Sequence, residues 1–379
     1  MKPIESFNDL ILPRPLVRTL DVLNFTTPTP VQAAAVPVAM AGRDILATAQ
    51  TGTGKTAAFG LPLISLIASG RRRQALILAP TRELAAQIHK VLHQLGHGMQ
   101  FQGTLVVGGE SFNRQTDELR RRNDFIVATP GRLNDHLSER RLNLSGVDML
   151  ILDEVDRMLD MGFAPQIKAI MRYISNKRQT LLFSATLPDE IMSLAHALMR
   201  DPVRIAIGPV MTTAPQAVKE TTIETSQEGK LQIILKELKT RQGKILVFAR
   251  TQSRTERLAR QLHEQGFPVG CMHGGRTQGQ RKQALERFRT GRDRIMVATD
   301  IAGRGIDVPD IEHVINYDIP GTREDYIHRI GRTARCGKTG EAVNLLAFDD
   351  FDGRSVLKGE KKHARVVFRS SRRRFGSRR

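Results

Sequence analysis

The sequence predicts an α/β protein of two tandem domains, each a parallel sheet flanked by helices, with a disordered basic tail. Three observations lead there. A chain of 379 residues exceeds one ordinary core and fits two or three domains of roughly 150 residues. Short β-branched runs alternate with helical patterns, as strands joined by crossover helices do. The alternation also occurs twice along the chain.

The first series is "DILATA" (44–49), "QALILAP" (74–80), "FIVATP" (125–130), "MLILDE" (149–154) and "QTLLFSAT" (179–186). Between two of these runs Leu84, Ile88, Val91, Leu92 and Leu95 share one face at the 3.6-residue helical period. The second series is "KILVFAR" (244–250), "PVGCMHG" (268–274), "RIMVATD" (294–300), "HVINYD" (313–318) and "AVNLLAF" (342–348). The stretch "IGPVMTTAPQAVKE" (207–220) has two prolines and no period, and reads as a linker. Domains are therefore expected at 1–207 and 220–352, with a linker at 208–219 and a tail at 353–379. From Lys361 to Arg379 the chain carries nine Lys or Arg and no acid, a composition expected to be unstructured.

Composition narrows the partners. At 40% hydrophobic and 26% charged residues a packed core is expected. The net charge of +19 points to a polyanion, with nucleic acid ahead of a membrane surface. No run approaches the roughly 18 apolar residues of a membrane span, and the start has no apolar signal region, so a cytoplasmic protein is expected. Cys271 and Cys336, far apart and without metal-ligand spacing, argue against a disulfide framework or a zinc site.

"AQTGTGKT" (49–56) follows a strand run and precedes a helical one, the context of a phosphate-binding loop. Gly52 and Gly54 let the backbone curl so that N–H groups face phosphates. Lys55 would neutralise the outer phosphates and Thr56 would ligate magnesium. Ala49 stands where the strict pattern has its first glycine. In "MLILDEVD", Asp153 and Glu154 emerge at the carboxyl end of a strand, where parallel sheets hold their ligands. Asp153 there can hold Mg2+ through its water shell, and Glu154 can orient or deprotonate a water. A phosphate loop paired with an acidic strand end implies a nucleoside triphosphatase.

With these residues and the motifs that follow, the chain resembles the DEAD-box ATP-dependent RNA helicase family of superfamily 2, from about Phe7 to about Phe348, with a DEVD spelling of the acidic motif. "NFTTPTPVQ" (24–32) resembles the adenine-recognising Q motif, which implies that Phe25 stacks on the base and Gln32 reads its edge. Thr51, Gly52, Thr53, Gly54, Lys55 and Thr56 form the implied phosphate site. "PTRELA" (80–85), "GG" (108–109) and "TPGR" (129–132) are similar to elements that grip RNA, which implies RNA contacts at Arg82, Gly109, Thr129 and Arg132. "SAT" (184–186) implies that Asp156, Ser184 and Thr186 couple the site.

In the second half, "VFARTQ", "RTQGQRKQALERF", "ATDIAGRGIDV" and "YIHRIGRTAR" continue the resemblance. It implies RNA contacts at Gln278, Arg281, Thr299 and Arg304, a ribose contact at Asp307, coupling at His328, and arginine fingers at Arg332 and Arg335. Such fingers can supply about 10³ to 10⁵ in rate. The resemblance thus implies two RecA-like domains and catalytic roles for Lys55, Asp153, Glu154, Arg332 and Arg335. It also implies ATP and Mg2+ as cofactors, single-stranded or short duplex RNA as substrate, ribonucleoprotein partners and a monomer. The sequence departs from the family at Val155, where Ala is usual, and at Asn24 and Ala334, where Gly is usual. A DNA-translocating motor and a catalytically weak RNA clamp are the alternatives. The Q-motif stretch and the DExD spelling favour RNA, and the presence of Lys55, Glu154, Arg332 and Arg335 favours an active enzyme.

Overall fold

The structure is a computed structural model, and it describes residues 3–49, 53–71, 74–207, 218–303, 308, 310–334, 339–357 and 364–367. The chain divides into two compact units, Met1–Met211 and Thr212–Arg379. The first contains β1 (Ile45–Thr48), β2 (Gln74–Leu78), β3 (Gly103–Val106), β4 (Phe125–Ala128), β5 (Val147–Leu152), β6 (Gln179–Ser184) and β7 (Val203–Ala206). The second contains β8 (Val218–Thr225), β9 (Lys244–Phe248), β10 (Val269–Met272), β11 (Ile295–Ala298), β12 (Ile311–Asn316), β13 (Gly340–Ala347) and β14 (Ala364–Val367).

The first sheet runs β3-β4-β2-β5-β6-β1-β7 and the second β10-β11-β9-β12-β13-β8-β14. Adding seven to each number of the first order gives the second, so the two units repeat one topology. All the pairings are parallel.

Alternate strand residues supply two apolar layers, one on each face of the sheet. In the first unit Ile45, Ile77 and Ile151 enter one layer while Leu46, Leu76 and Leu150 enter the other. The second unit does the same with Ile245 and Val247 against Leu246 and Phe248. Burial on both faces is why these strands read as unbroken aliphatic runs instead of alternating ones.

The helix Arg82–Leu95 buries Leu84, Ile88, Leu92 and Leu95, the face its spacing predicts. Thr81 caps it by accepting the Leu84 N–H at 3.3 Å, and Thr251 caps Gln252–Glu264 after β9 in the same way, accepting from Arg254 at 3.2 Å. Such caps fix where each helix begins, and hence where the side chains of its first turn stand.

Residues 208–217, most of the expected linker, lie outside the described residues, and β8 begins at Val218 inside that stretch. Two elements lie at or beyond the expected domain end. Helix Phe351–Leu357 crosses the expected domain end at 352, and β14 within the tail pairs with β8 in register Ala364↔Thr221 to Val367↔Glu224. The backbone of β8 offers donors and acceptors to a neighbour, and the β-branched pair Val366–Val367 was obscured by the surrounding charge. Among the described residues no helix is long and apolar enough to cross a membrane.

Candidate nucleotide and nucleic-acid sites

The first site is built where β1 and β5 end. Gly54 sits at φ +89° as the N-cap of helix Lys55–Ala68, a left-handed conformation that favours glycine. A side chain there would also collide with the Gln32 amide. Gln32, 3% exposed, donates from Nε2 to the Gly54 carbonyl at 3.2 Å and accepts the Thr29 N–H at 2.9 Å through Oε1. Its amide is thus engaged by the chain's own backbone at both ends. Phe25 packs on the core with its ring 6.2 Å from that of Phe7. Lys55 is buried, donates to the Ala49 carbonyl at 3.1 Å and places Nζ 3.8 Å from Asp153 Oδ1. Thr53 and Thr56 are half-buried beside it. Thr51 and Gly52 lie outside the described residues.

Asp153 follows β5 and is 2% exposed. Burial, aided by the neighbouring Glu154 and Asp156 charges and opposed by Lys55, pushes its carboxyl up to about 6. Glu154 adopts φ 52°, a left-handed conformation that costs a non-glycine residue roughly 1–3 kcal/mol, and its carboxylate lies 3.2 Å from Arg157 Nη1. Asp156 accepts from the backbone N–H groups of Ala185 at 2.9 Å and Thr186 at 3.2 Å, and its other oxygen accepts from Arg157 N–H at 3.0 Å. The acidic stretch therefore grips the end of β6 through backbone, not through the Ser184 hydroxyl, which is buried with no hydrogen-bond partner among the described residues. Val155 is fully buried in the same apolar layer as Leu152 and Met158.

Arg82 packs over the Gly108–Gly109 pair, and Gly109 lies at φ +80°, where a side chain would strike the guanidinium. Thr129, buried, is the N-cap of helix Pro130–Ser138. Arg132 donates to Gln115 Oε1 at 3.0 Å and to the Glu110 carbonyl at 2.8 Å, and lies 4.7 Å above the Phe112 ring. Sequence reasoning missed the hub of this group. Gln115, 1% exposed, donates to the Val107 carbonyl at 2.8 Å and accepts from His136 Nε2 at 3.1 Å, while the His136 ring stacks on Phe112 at 3.9 Å. An amide oxygen can only accept, so His136 carries its proton on Nε2. Nothing in the local sequence distinguishes Gln115 from a solvated glutamine on a polar helix.

In the second unit Gln278 opens helix Gln278–Arg289, Arg281 is buried one turn on, and Thr299 follows β11 with its N–H donating to Met272 at 3.2 Å. Arg332 is 4% exposed and donates to the His328 carbonyl at 3.3 Å. Arg304, Asp307 and Arg335 lie outside the described residues.

Arg329 was not anticipated. It is fully buried, pairs with Asp300 at 2.5 and 2.8 Å, and donates to Asn316 at 3.0 Å and the Asp318 carbonyl at 2.6 Å. It thereby fixes the helix that carries His328. Glu256, Cys271 and His273 bring possible ligand atoms within 4.8 Å. Arg276, however, takes both Glu256 oxygens at 2.9 Å, and burial pushes the Cys271 thiol up to about 11, so this group is an ion-pair cluster.

Two of the three departures from the family pattern fall on left-handed backbone, Asn24 at φ 56° and Ala334 at φ 54°. Glycine is the residue such positions favour, and asparagine tolerates them better than alanine does.

Tandem parallel sheets of one topology, with a glycine-led helix start facing an acidic strand end in the first, define a RecA-like protein of the phosphate-loop class. The chain belongs to the DEAD/DEAH box helicase family: the DEAD/DEAH box helicase model matches residues 29–194, and the helicase conserved C-terminal domain model matches 229–337.

It is 43% identical over 358 residues to DEAD-box ATP-dependent RNA helicase 30 of Arabidopsis thaliana, covering 92% of this chain and 60% of that protein. It is 41% identical to ATP-dependent rRNA helicase RRP3 of Meyerozyma guilliermondii, covering 92% of this chain and 74% of that one. The chain spans about three fifths to two thirds of the length of several curated relatives it matches. Among solved structures, S. cerevisiae Dbp5 bound to RNA and ADP BeF3 matches with a TM-score of 0.86 at 29% identity, over 96% of both chains. Mss116p bound to ssRNA and AMP-PNP matches with a TM-score of 0.85 at 29% identity, over 98% of this chain and 80% of that one.

Proposed function

We propose that the chain is an RNA-dependent ATPase and RNA helicase that binds single-stranded RNA and, coupled to ATP hydrolysis, opens short duplexes or remodels RNA–protein complexes. The observation that carries this is Lys55 Nζ 3.8 Å from Asp153 Oδ1, with Glu154 adjacent, at the start of a glycine-led helix. Lys55 and the first N–H groups of helix Lys55–Ala68 take the phosphates, Phe25 and Gln32 the base, and Asp307 the ribose. A buried carboxyl held among like charges fits a divalent cation, so Thr56 and Asp153 are the residues that would hold Mg2+. When bound, the cation neutralises charge on the transferring phosphoryl group.

Glu154 orients and deprotonates the attacking water, and Arg332 and Arg335 stabilise the charge that develops on the phosphoryl oxygens. Arg82, Gly109, Thr129 and Arg132 in the first unit, with Gln278, Arg281, Thr299 and Arg304 in the second, hold the RNA backbone. Asp156, through Ala185 and Thr186, links the acidic strand end to β6, and His328 lies beside Arg332. A monomer working in the cytoplasm with ribonucleoprotein partners completes the proposal.

The test is ATP turnover without nucleic acid, with single-stranded RNA and with DNA, for the wild type and Glu154→Gln. RNA should stimulate turnover and DNA should not. Glu154→Gln should keep nucleotide affinity while kcat falls by about 10² to 10⁴, the usual worth of a general base. Turnover indifferent to RNA, or wild-type turnover in Glu154→Gln, overturns the assignment.

A further inference from the structure

The repeated topology places β8 and β12 of the second unit where β1 and β5 stand in the first. At their ends the second unit has its own lysine–aspartate pair: Lys230, on the first turn of helix Gly229–Thr240, lies 3.4 Å from Asp318 Oδ1, both buried. It resembles the Lys55–Asp153 pair but is closed to polyphosphate. Six residues (49–54) separate β1 from its helix, whereas only 226–228 separate β8 from its own. Glu228 at the helix start is right-handed, φ −68°, in place of the left-handed glycine of the first unit. Lys230, 1% exposed, donates to the Tyr317 carbonyl at 2.8 Å, so its ammonium is engaged within the fold.

Beside this pair a cavity of about 460 Å³ remains. Leu231, Leu258, Tyr317 and Gln227 are among the residues that line it. Arg254 shares Asp318 with Lys230, at 2.7 and 3.4 Å, donates to Gln227 at 3.3 Å and lies 6.0 Å over the Tyr317 ring, its side chain still 41% exposed; Arg257, which also lines the cavity, is exposed. With Glu228 also lining the cavity, Lys230, Arg254 and Arg257 against Asp318 and Glu228 leave a net charge of +1, which suits one phosphate better than a polyphosphate.

We propose that this cavity binds one nucleoside monophosphate unit, its base stacked on the Arg254 guanidinium that lies over Tyr317 and its phosphate on Arg257. Stacking of a base on a guanidinium and guanidinium capture of one phosphate are the chemistry these groups offer. Tyr317 follows β12 and Thr299 follows β11, so the cavity opens at the same carboxyl edge of the sheet as a proposed RNA contact. The unit is supplied either by an RNA strand extending past the contacts proposed above or by a free mononucleotide. The first source rests on the RNA-binding reading, the second does not.

The experiment uses the full chain as wild type, Tyr317→Leu and Arg257→Glu, with folding checked by thermal denaturation. Affinity is measured for oligo-U of about 6 and about 16 nucleotides, lengths that bracket ordinary single-strand sites, and for UMP alone. Loss of about tenfold in affinity for the longer oligonucleotide, with less than about twofold for the shorter, is the expected result and assigns the cavity to RNA. Loss of UMP binding with both oligonucleotides unaffected assigns it to the free nucleotide. Variants indistinguishable from wild type toward all three ligands overturn the proposal. A wild-type chain that binds neither oligonucleotide overturns the RNA reading instead, and its UMP arm still decides the cavity.

Discussion

Gln32 and Gly54 are joined by a hydrogen bond of 3.2 Å from a buried amide to a backbone carbonyl, and that amide's oxygen is held by Thr29. The helix Pro30–Met40 is thereby tied to the residue that turns the chain into helix Lys55–Ala68. Gln32→Glu keeps the acceptor for Thr29 but loses the donor and sets a carboxylate against the Gly54 carbonyl. The Gly54 carbonyl keeps the Ala58 N–H at 3.1 Å, so the loss is one hydrogen bond plus the repulsion between the carboxylate and that carbonyl, roughly 1–3 kcal/mol; the KM for ATP should rise about tenfold, and preference for ATP over GTP should weaken. Steady-state kinetics with both nucleotides check this, and an unchanged KM would show that the tie is irrelevant to the loop.

Asp156→Asn leaves one acceptor oxygen where two are in use. At least one of the N–H groups of Ala185, Thr186 and Arg157 then loses its partner, at about 1–3 kcal/mol. Amide exchange at Ala185 and Thr186 should accelerate, and RNA stimulation of turnover should fall while nucleotide affinity holds. Wild-type exchange at both amides would contradict this.

Ala334→Gly should stabilise the protein by about 0.5–1 kcal/mol. Release from left-handed backbone is worth about 1–2 kcal/mol for a residue with a Cβ, and the greater freedom of unfolded glycine takes back about 0.4–1. Asn24→Gly should change stability by only a few tenths of a kcal/mol. Urea denaturation of the two variants makes the comparison, which fails if both shift alike.

Burial first, and then the charge of Arg132, pushes His136 down to about 4. An unfolded histidine titrates near 6.5, so between about 6.5 and 4 the unfolded chain takes up a proton that the folded chain refuses. This contribution to stability is complete above pH 6.5 and is lost as pH falls, with a slope approaching one proton. His136→Gln, which can still donate to Gln115, should flatten the profile in that window. An equally steep profile in the variant would assign the acid sensitivity to other groups.

The central strands were legible because both their faces are buried, which turns β2, β4, β5, β9 and β11 into aliphatic runs. The strands missed at this level were β3, β7, β8 and β14, all near the sheet edges, where polar residues such as those of "VKETTIET" break the run. The glycine-led loop and the acids after β5 were legible because each is local. Long-range partners were not: Gln32 meets Gly54 across 22 positions, and Lys230 meets Asp318 across 88. Arg329 was not legible either, since nothing local marks one arginine of a basic segment as buried until Asp300 and Asn316 are found around it.

Among the described residues neither sheet takes a strand from the other, so each strand order is complete within one unit. A chain severed between 208 and 217 would therefore yield two fragments that each retain a full sheet. On the roles proposed above for Glu154 and Arg332, ATP turnover would then change kinetic order. Specific ATP turnover of the mixed fragments should rise with protein concentration, because covalent connection no longer supplies an effective concentration, while that of the intact chain stays constant.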